Sequence, residues 1–587
     1  MRATATYQAT GCEVRTNGAR LEIRFPGVEL GVFAGSLEYD IFKGSNLIHQ
    51  IVLAKTELDS VAFKYDGGLK GLAIQPESRV VWRDLSNRRQ EYEFGGPISG
   101  GPVTVWNTNR VIAAELKGGA IAVFPTPHSF YWARESSQNL GYGWYRKDSD
   151  STFSLGVRQA EGEEDPEFFH NFTLYSARPG KWQRMPVFLY VSPEASGTAA
   201  LESALTFTHG DRFKALPGFQ VMGSHYHVGF VERLEKSGSL DTRLNDIDAA
   251  KGIGINIYGV IDSSALGRKN RLEAQAKYYE AARKHSDKTF LIMPNEEVTG
   301  GPMAYELGGH NDVMLSKPVF WNLKRALDQP LVEQDPQYGK VYYLRTAADM
   351  MEMLRRENAV LFEPHPRSKG STGFPDGIKD SPHFLDENFR GLGYRWGMGI
   401  DASEIRLGQY RCLDLWDEMS NWLADRPGPL KYFQAISEAR SDIGERGRPT
   451  YDDNYGMSPV NYLKIDRLPT VDDMGPIINA MKRGDYFVTS GEVLISSYTL
   501  TGTGDQRTIT ADVEWTFPLD FVEVVWGDGQ KTERQIISTT DQPPFGKKHF
   551  QIPFNATGKK WVRFAAWDIA TNGALVQPIK LTERPAK

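Results

Sequence analysis

The chain predicts a multidomain α/β protein in which a (β/α) barrel is flanked by two sheet-rich, sandwich-like domains. Three observations lead there. Residues 1–212 carry short segments rich in β-branched and aromatic residues, broken by Gly, Pro, Asn and Asp. Residues 213–492 alternate apolar runs with helical patterns, and residues 493–587 return to the first rhythm. Strands alternating with helices argue for a βα architecture, and strands without helices for sandwiches.

Each region follows from its own pattern. In the first, the segments at 20–33, 78–85, 109–125 and 184–192 are β-prone and short. In the second, apolar runs at 218–227, 252–262, 288–299, 359–366 and 460–466 alternate with helix candidates at 266–285, 346–357 and 411–425. Thr346 with Asp349 fits a capping box, and Thr470 with Asp473 gives the same signal before the helical stretch from Met474. In the third, the segments at 509–518, 521–529, 548–554 and 560–570 read as strands, with Asp528-Gly529 marking a hairpin.

Composition bounds the function classes. With 40% hydrophobic and 24% charged residues the chain is that of a folded protein, and 587 residues exceed one ordinary core. The formal net charge of -6 is small for this length and no basic stripe is present, which argues against a nucleic-acid partner. No run reaches the roughly 20 apolar residues of a membrane helix. The opening 14 residues have no apolar signal-peptide core, although a leader already removed leaves the same appearance, so the compartment stays open. Cys12 and Cys412 are far apart; they allow one pairing and exclude a disulfide scaffold. Oligomeric state is not legible.

Chemistry-bearing residues gather in the middle third. His225 and His227 end an apolar run, and residues two apart on a strand share a face. The next runs end in Asp262 and in Glu296-Glu297; His310 follows, and His365 closes the run at 359–366. Side chains at the carboxyl ends of barrel strands converge on the active face. Imidazole and carboxylate together suit Zn, Mn or Fe, and a carboxylate can bridge two ions. There is no P-loop, no convincing dinucleotide fingerprint and no G-x-S-x-G elbow.

At this point the chain resembles the PHP (polymerase and histidinol phosphatase) superfamily, in particular its carbaryl-hydrolase-like branch. The match rests on His225-Tyr226-His227, on Asn295-Glu296-Glu297-Val298-Thr299, on Gly309-His310, on His365-Pro366-Arg367, and on Gly484 through Glu492. The resemblance implies a distorted (β/α)7 PHP-type barrel at 213–492. It implies metal ligands His225, His227, Glu297, His310, His365 and Asp442, with Glu297 bridging two divalent ions (Mn, Zn or Fe). Two family histidines are replaced, by Ser263 and Gly444, and both serve the third ion of the family pattern. A dinuclear centre is therefore expected, with Asp262 orienting a ligand or water.

Arg367 is expected to reach a substrate anion or carbonyl oxygen, and Glu297, Asp262 and Arg367 form the expected catalytic set. Lys317, Glu404, Arg406 and His128 are weaker pocket candidates. The expected reaction is attack by metal-activated water on a phosphoester, ester, amide or carbamate bond. Two alternatives stand beside it. One is a carbohydrate- or glycoside-processing metalloenzyme, in which flanking β-domains and some of the 13 Trp and 25 Tyr contact a small-molecule or carbohydrate-like substrate. The other is a metal-stabilised binding protein without turnover.

Overall fold

The computed structural model describes residues 3–581 apart from positions 9, 64, 85, 106 and 108 and segments 128–142, 159–175, 262–269, 368–369, 395–411 and 438–457. Asp262, Asp442, His128, Glu404 and Arg406 lie outside the described residues.

The described residues of the first region form two large antiparallel sheets and a two-stranded one, Val61–Ala62 with Ser176–Ala177. One runs through Arg20–Leu30, Phe33–Phe42, Leu47–Lys55, Gln183–Ser192, Gly119–Phe124, Ile112–Leu116, Arg79–Arg83 and Arg89–Glu93 in that spatial order. The other joins Val103–Val105, Gly143–Lys147, Thr152–Arg158 and Asp66–Ala73. Val80, Ile112, Val123, Phe153, Leu155 and Leu189 fill the layer between them. The opposite face of the larger sheet is covered by the helix Gly197–Leu205, with Phe517 and Ala570 from the third region in the same apolar cluster.

The site is carried by a second large sheet. Its strands are β1 (Gln220–Tyr226), β2 (Ile257–Ile261), β3 (Leu291–Val298), β4 (Asn311–Met314), β5 (Val360–Pro364), β6 (Phe389–Tyr394), β7 (Tyr432–Ala435), β8 (Val460–Leu463) and β9 (Tyr486–Thr489). It continues into β10 (Leu519–Gly527), β11 (Thr532–Ser538), β12 (Trp561–Asp568) and β13 (Gly573–Val576). Spatial order is β7-β6-β5-β4-β3-β2-β1-β8-β9-β13-β12-β10-β11. β1, β2 and β3 are parallel, as are β5, β6 and β7, but β4 runs antiparallel to both its neighbours and β8 antiparallel to β1.

The architecture is thus multidomain α/β with sheet-rich flanks. The finer expectation of a distorted (β/α)7 barrel is not matched by these ladders: the sheet is mixed and, among the described residues, no ladder closes it. It does curl. Ser437 N–H donates to Ser224 O at 2.8 Å, and Gln434 Nε2 donates to Ser224 Oγ at 2.7 Å, which brings the region of β7 against β1.

Local signals read from the sequence meet mixed outcomes. Thr346 and Asp349 form the reciprocal capping box of the helix Ala347–Arg356. The helix Gly475–Arg483 instead begins after Met474, with no side-chain cap; Thr470 and Asp473 pair in an isolated β-bridge before it. Pro476 in its first turn fixes φ where no N–H is needed, so the start is set without the expected cap. The hairpin at Asp528-Gly529 joins β10 and β11. Cys12 is exposed, Cys412 is buried and both are free. Among the described residues no helix is long and apolar enough to cross a membrane.

Candidate metal centre

β1, β3 and β5 deliver the central residues to one place. His225 lies in β1, Glu297 in β3, and His365 directly after β5. All three are buried, and one ligand atom from each lies within 4.8 Å of the others. These strands are buried almost throughout, so a carboxylate among them is held in a low-dielectric setting.

Simple strand alternation does not bring the histidines together. The pairing of β1 with β2 shifts register between Gly223 and Tyr226, and His225 takes a left-handed φ of 64°. Such an irregularity re-aims a side chain, and positive φ at a non-glycine residue is a conformation that surrounding structure must stabilise. His227 lies just past the strand end. The outcome is an Nε2–Nε2 separation of 3.1 Å between His225 and His227, with the rings nearly perpendicular at 84°. His365 shares the backbone feature, with φ 40°.

Glu297 is the hub. Its Oε1 lies 2.8 Å from His310 Nδ1, 3.6 Å from His365 Nε2 and 3.7 Å from His225 Nε2, while Oε2 lies 3.7 Å from His227 Nε2. Burial by itself raises this carboxyl, but His225 first, then His310, His365 and His227, hold it well below the usual carboxylate range. The structure brings together five of the expected ligands: His225, His227, Glu297, His310 and His365. His310 depends on Gly309, whose φ of 146° and close approach to Gly370 and Ser371 leave no room for a side chain.

Asp262 and Asp442 lie outside the described residues, and Arg367 and Lys317 make ion pairs of their own. Arg367 has its guanidinium on Asp376, at 2.8 and 3.0 Å, and on Glu418 at 3.1 Å. Lys317 is 3.3 Å from the buried Glu357. Glu296, next to the hub, faces the other way: it is paired with Arg271 and accepts from Gln275 Nε2 at 2.8 Å.

Three buried polar residues two positions from site residues were given no role in the sequence reading. Asp312 is 1% exposed and its Oδ2 lies 3.7 Å from His225 Nδ1. Glu363 is fully buried two residues before His365; burial pushes its carboxyl well above the usual range, and the Glu297 charge adds to the rise. Asn295, two residues before Glu297, is fully buried, and neither amide atom has a hydrogen-bond partner. The available signal was the two-residue spacing of each from a residue already singled out.

The donor set fits one divalent ion. A buried carboxylate ringed by neutral-capable imidazoles is the chemistry that holds Zn, Mn or Fe. His225, Glu297 and His365 form the cluster able to chelate it, with His227 and His310 on its more exposed side at 17% and 22% side-chain exposure.

No family model matches the chain, and no curated protein matches it. Among solved structures, it is similar to the galactosidase domain of an α-galactosidase-sucrose kinase, AgaSK, at 9% identity and TM-score 0.25, over 98% of this chain and 85% of that one. It is similar to the GH36 α-galactosidase AgaB of Geobacillus stearothermophilus at 11% identity and TM-score 0.25, over 98% and 86%. It is also similar to the α-N-acetylgalactosaminidase NagBb of Bifidobacterium bifidum at 10% identity and TM-score 0.28, over 91% and 92%. TM-scores this low assign the chain neither a fold nor an activity. The expectation of a PHP-superfamily metallohydrolase is corrected: no family model carries it. The expected cleavage of a phosphoester, ester, amide or carbamate bond falls with it, as does any metal identity taken from that family.

Proposed function

We propose that the chain is a metalloenzyme acting on a carbohydrate, with one divalent ion held by His225, Glu297 and His365. The observation that carries the reading is Glu297, a buried carboxylate within 3.7 Å of four imidazoles. A structural ion pair needs one cationic partner; four imidazoles around one carboxylate at strand ends make a chelating pocket.

When bound, the ion supplies Lewis-acid polarisation of an oxygen and acidifies water. The chain's own residues do the rest. Glu297, ionised in its buried setting, neutralises the ion; His225 and His365, fixed by unusual backbone angles, set its position. His227 and His310, on the open side, are placed to bind a hydroxyl or hold a proton. Asp442, outside the described residues, would be a further ligand to this ion.

The carbohydrate class is supported by Tyr305. It is 77% exposed on the short helix Pro302–Glu306, in the connection between Glu297 and His310. An exposed aromatic face suits a sugar ring, which offers an apolar face and a polar rim, and the segment that carries Tyr305 starts and ends at site residues.

The test is elemental analysis of chain purified without chelator, followed by a screen of glycosides and oligosaccharides for product release. About one equivalent of Zn, Mn or Fe is expected, lost in His225→Ala and Glu297→Ala. Absence of stoichiometric metal after reconstitution rejects the metal centre; metal without turnover on any carbohydrate rejects the enzyme.

A further inference from the structure

Glu297 and Asp312 are direct partners across the antiparallel ladder of β3 and β4. Directly opposed residues of an antiparallel pair project on the same side of the sheet, so two carboxylates share one buried face. Glu297 is 3% exposed and Asp312 1% exposed. Like charges in that arrangement are destabilising unless something cationic or hydrogen-donating lies between them.

His225 lies between them. Its Nε2 is 3.7 Å from Glu297 Oε1 and its Nδ1 is 3.7 Å from Asp312 Oδ2. The imidazole is itself fully buried, so neither nitrogen exchanges its neighbour for bulk water. One nitrogen faces the hub carboxylate and the other faces a carboxylate outside the chelating cluster.

We propose that Asp312 is a positioning residue of the metal site. It accepts the Nδ1 proton of His225, fixes the tautomer and turns the Nε2 lone pair toward the ion. Less than about 1 Å of side-chain movement brings the pair to hydrogen-bond distance. A carboxylate on the far nitrogen of a metal-bound imidazole orients the ring and raises its basicity, and its loss costs about 10- to 100-fold in metal affinity. The register of β3 with β4 is what makes this possible: a one-residue slip would turn Asp312 to the other face. The antiparallel insertion of β4 thereby acquires a role in the site.

The inference rests on the metal-centre reading, and the experiment separates the two. Zn²⁺ affinity is measured by competition with a chromophoric chelator, and the Co²⁺ visible spectrum recorded, for the unsubstituted chain, Asp312→Asn, Asp312→Ala and Asp312→Glu. The expected result is about 10- to 100-fold weaker Zn²⁺ binding in Asp312→Asn, an altered Co²⁺ spectrum, and partial recovery in Asp312→Glu. Asp312→Asn keeps the size and shape of the side chain, so it reports even where Asp312→Ala fails to fold. A purely structural role would change the melting of the metal-free chain and leave the Co²⁺ spectrum of the folded fraction as in the unsubstituted protein, which overturns the proposal. Unchanged Zn²⁺ affinity in Asp312→Asn overturns it as well. Failure of the unsubstituted chain to take up either ion overturns the metal centre and this inference together.

Discussion

Gly370 lies against the edge of the His310 imidazole so closely that a Cβ there would collide with Nε2. The same stretch of chain packs over Gly309, where an added Cβ would strike the Gly370 carbonyl and Ser371. His310 is therefore held between its Glu297 partner at 2.8 Å and the backbone at Gly370. Gly370→Ala is expected to push the ring off Glu297 and leave the fold standing, because the obstructing atoms belong to a side chain that can turn. A displacement of that size in a reacting site lowers turnover by roughly 100-fold. Kinetics on the substrate found in the carbohydrate screen, beside thermal melting, check it; full turnover would show that His310 is not needed.

Chelation gives the second prediction. An ion bound only by the folded chain adds stability according to its free concentration, about 2.7 kcal/mol at a hundred times its dissociation constant. EDTA is expected to lower the melting temperature of the unsubstituted chain and to leave His225→Ala unaffected. Equal melting of the unsubstituted chain with and without EDTA, after metal loading, would contradict the site.

The sequence made the five clustered residues legible for a physical reason. His225, Glu297 and His365 each close an apolar run, and β1, β3 and β5 run in the same direction, so their carboxyl ends lie at one edge of the sheet. The route was less legible. His225 and His227 meet through a register shift and a left-handed residue rather than through strand alternation. Asp312 was missed because Asn311–Met314 is only four residues long and runs antiparallel, which no βα rhythm announces. The mixed strand directions escaped for the same reason: periodicity reports that a segment is a buried strand, not which neighbour it pairs with or in what direction. Thr470 and Asp473 show the limit of a capping signal, since the same spacing closes a small bridge before the helix starts.

Tyr305 tests the substrate class separately from the metal. Stacking of an aromatic ring on a sugar is worth about 1 kcal/mol, so Tyr305→Ala is expected to raise KM roughly five-fold. Because the ring acts on bound substrate and transition state alike, kcat should stay near its starting value. A fall in kcat at constant KM would place Tyr305 in the chemistry instead, and no change would remove it from the binding surface.

The helix Asp414–Leu423 is fastened to the distal part of the site-bearing sheet by a buried pair. Arg563 Nε and Nη2 donate to the two Asp417 oxygens at 2.7 and 2.8 Å, with side-chain exposures of 2% and 3%. Removing one partner strands the other charge in the interior, so Asp417→Asn is expected to cost about 3–5 kcal/mol. Replacing both partners by apolar residues, Asp417→Leu with Arg563→Met, usually recovers most of that loss. Here the recovery should be incomplete. Glu523 Oε1 lies 3.7 Å from Arg563 Nη1, and the side chain is only 4% exposed. It keeps the Trp567 indole N–H at 3.0 Å and Arg534 at 3.7 Å, but loses the buried guanidinium. Adding Glu523→Gln to the double substitution removes that leftover charge and should restore stability further. Urea midpoints of the single, double and triple variants check the order. A double variant as stable as the unsubstituted chain would show that Glu523 does not depend on Arg563.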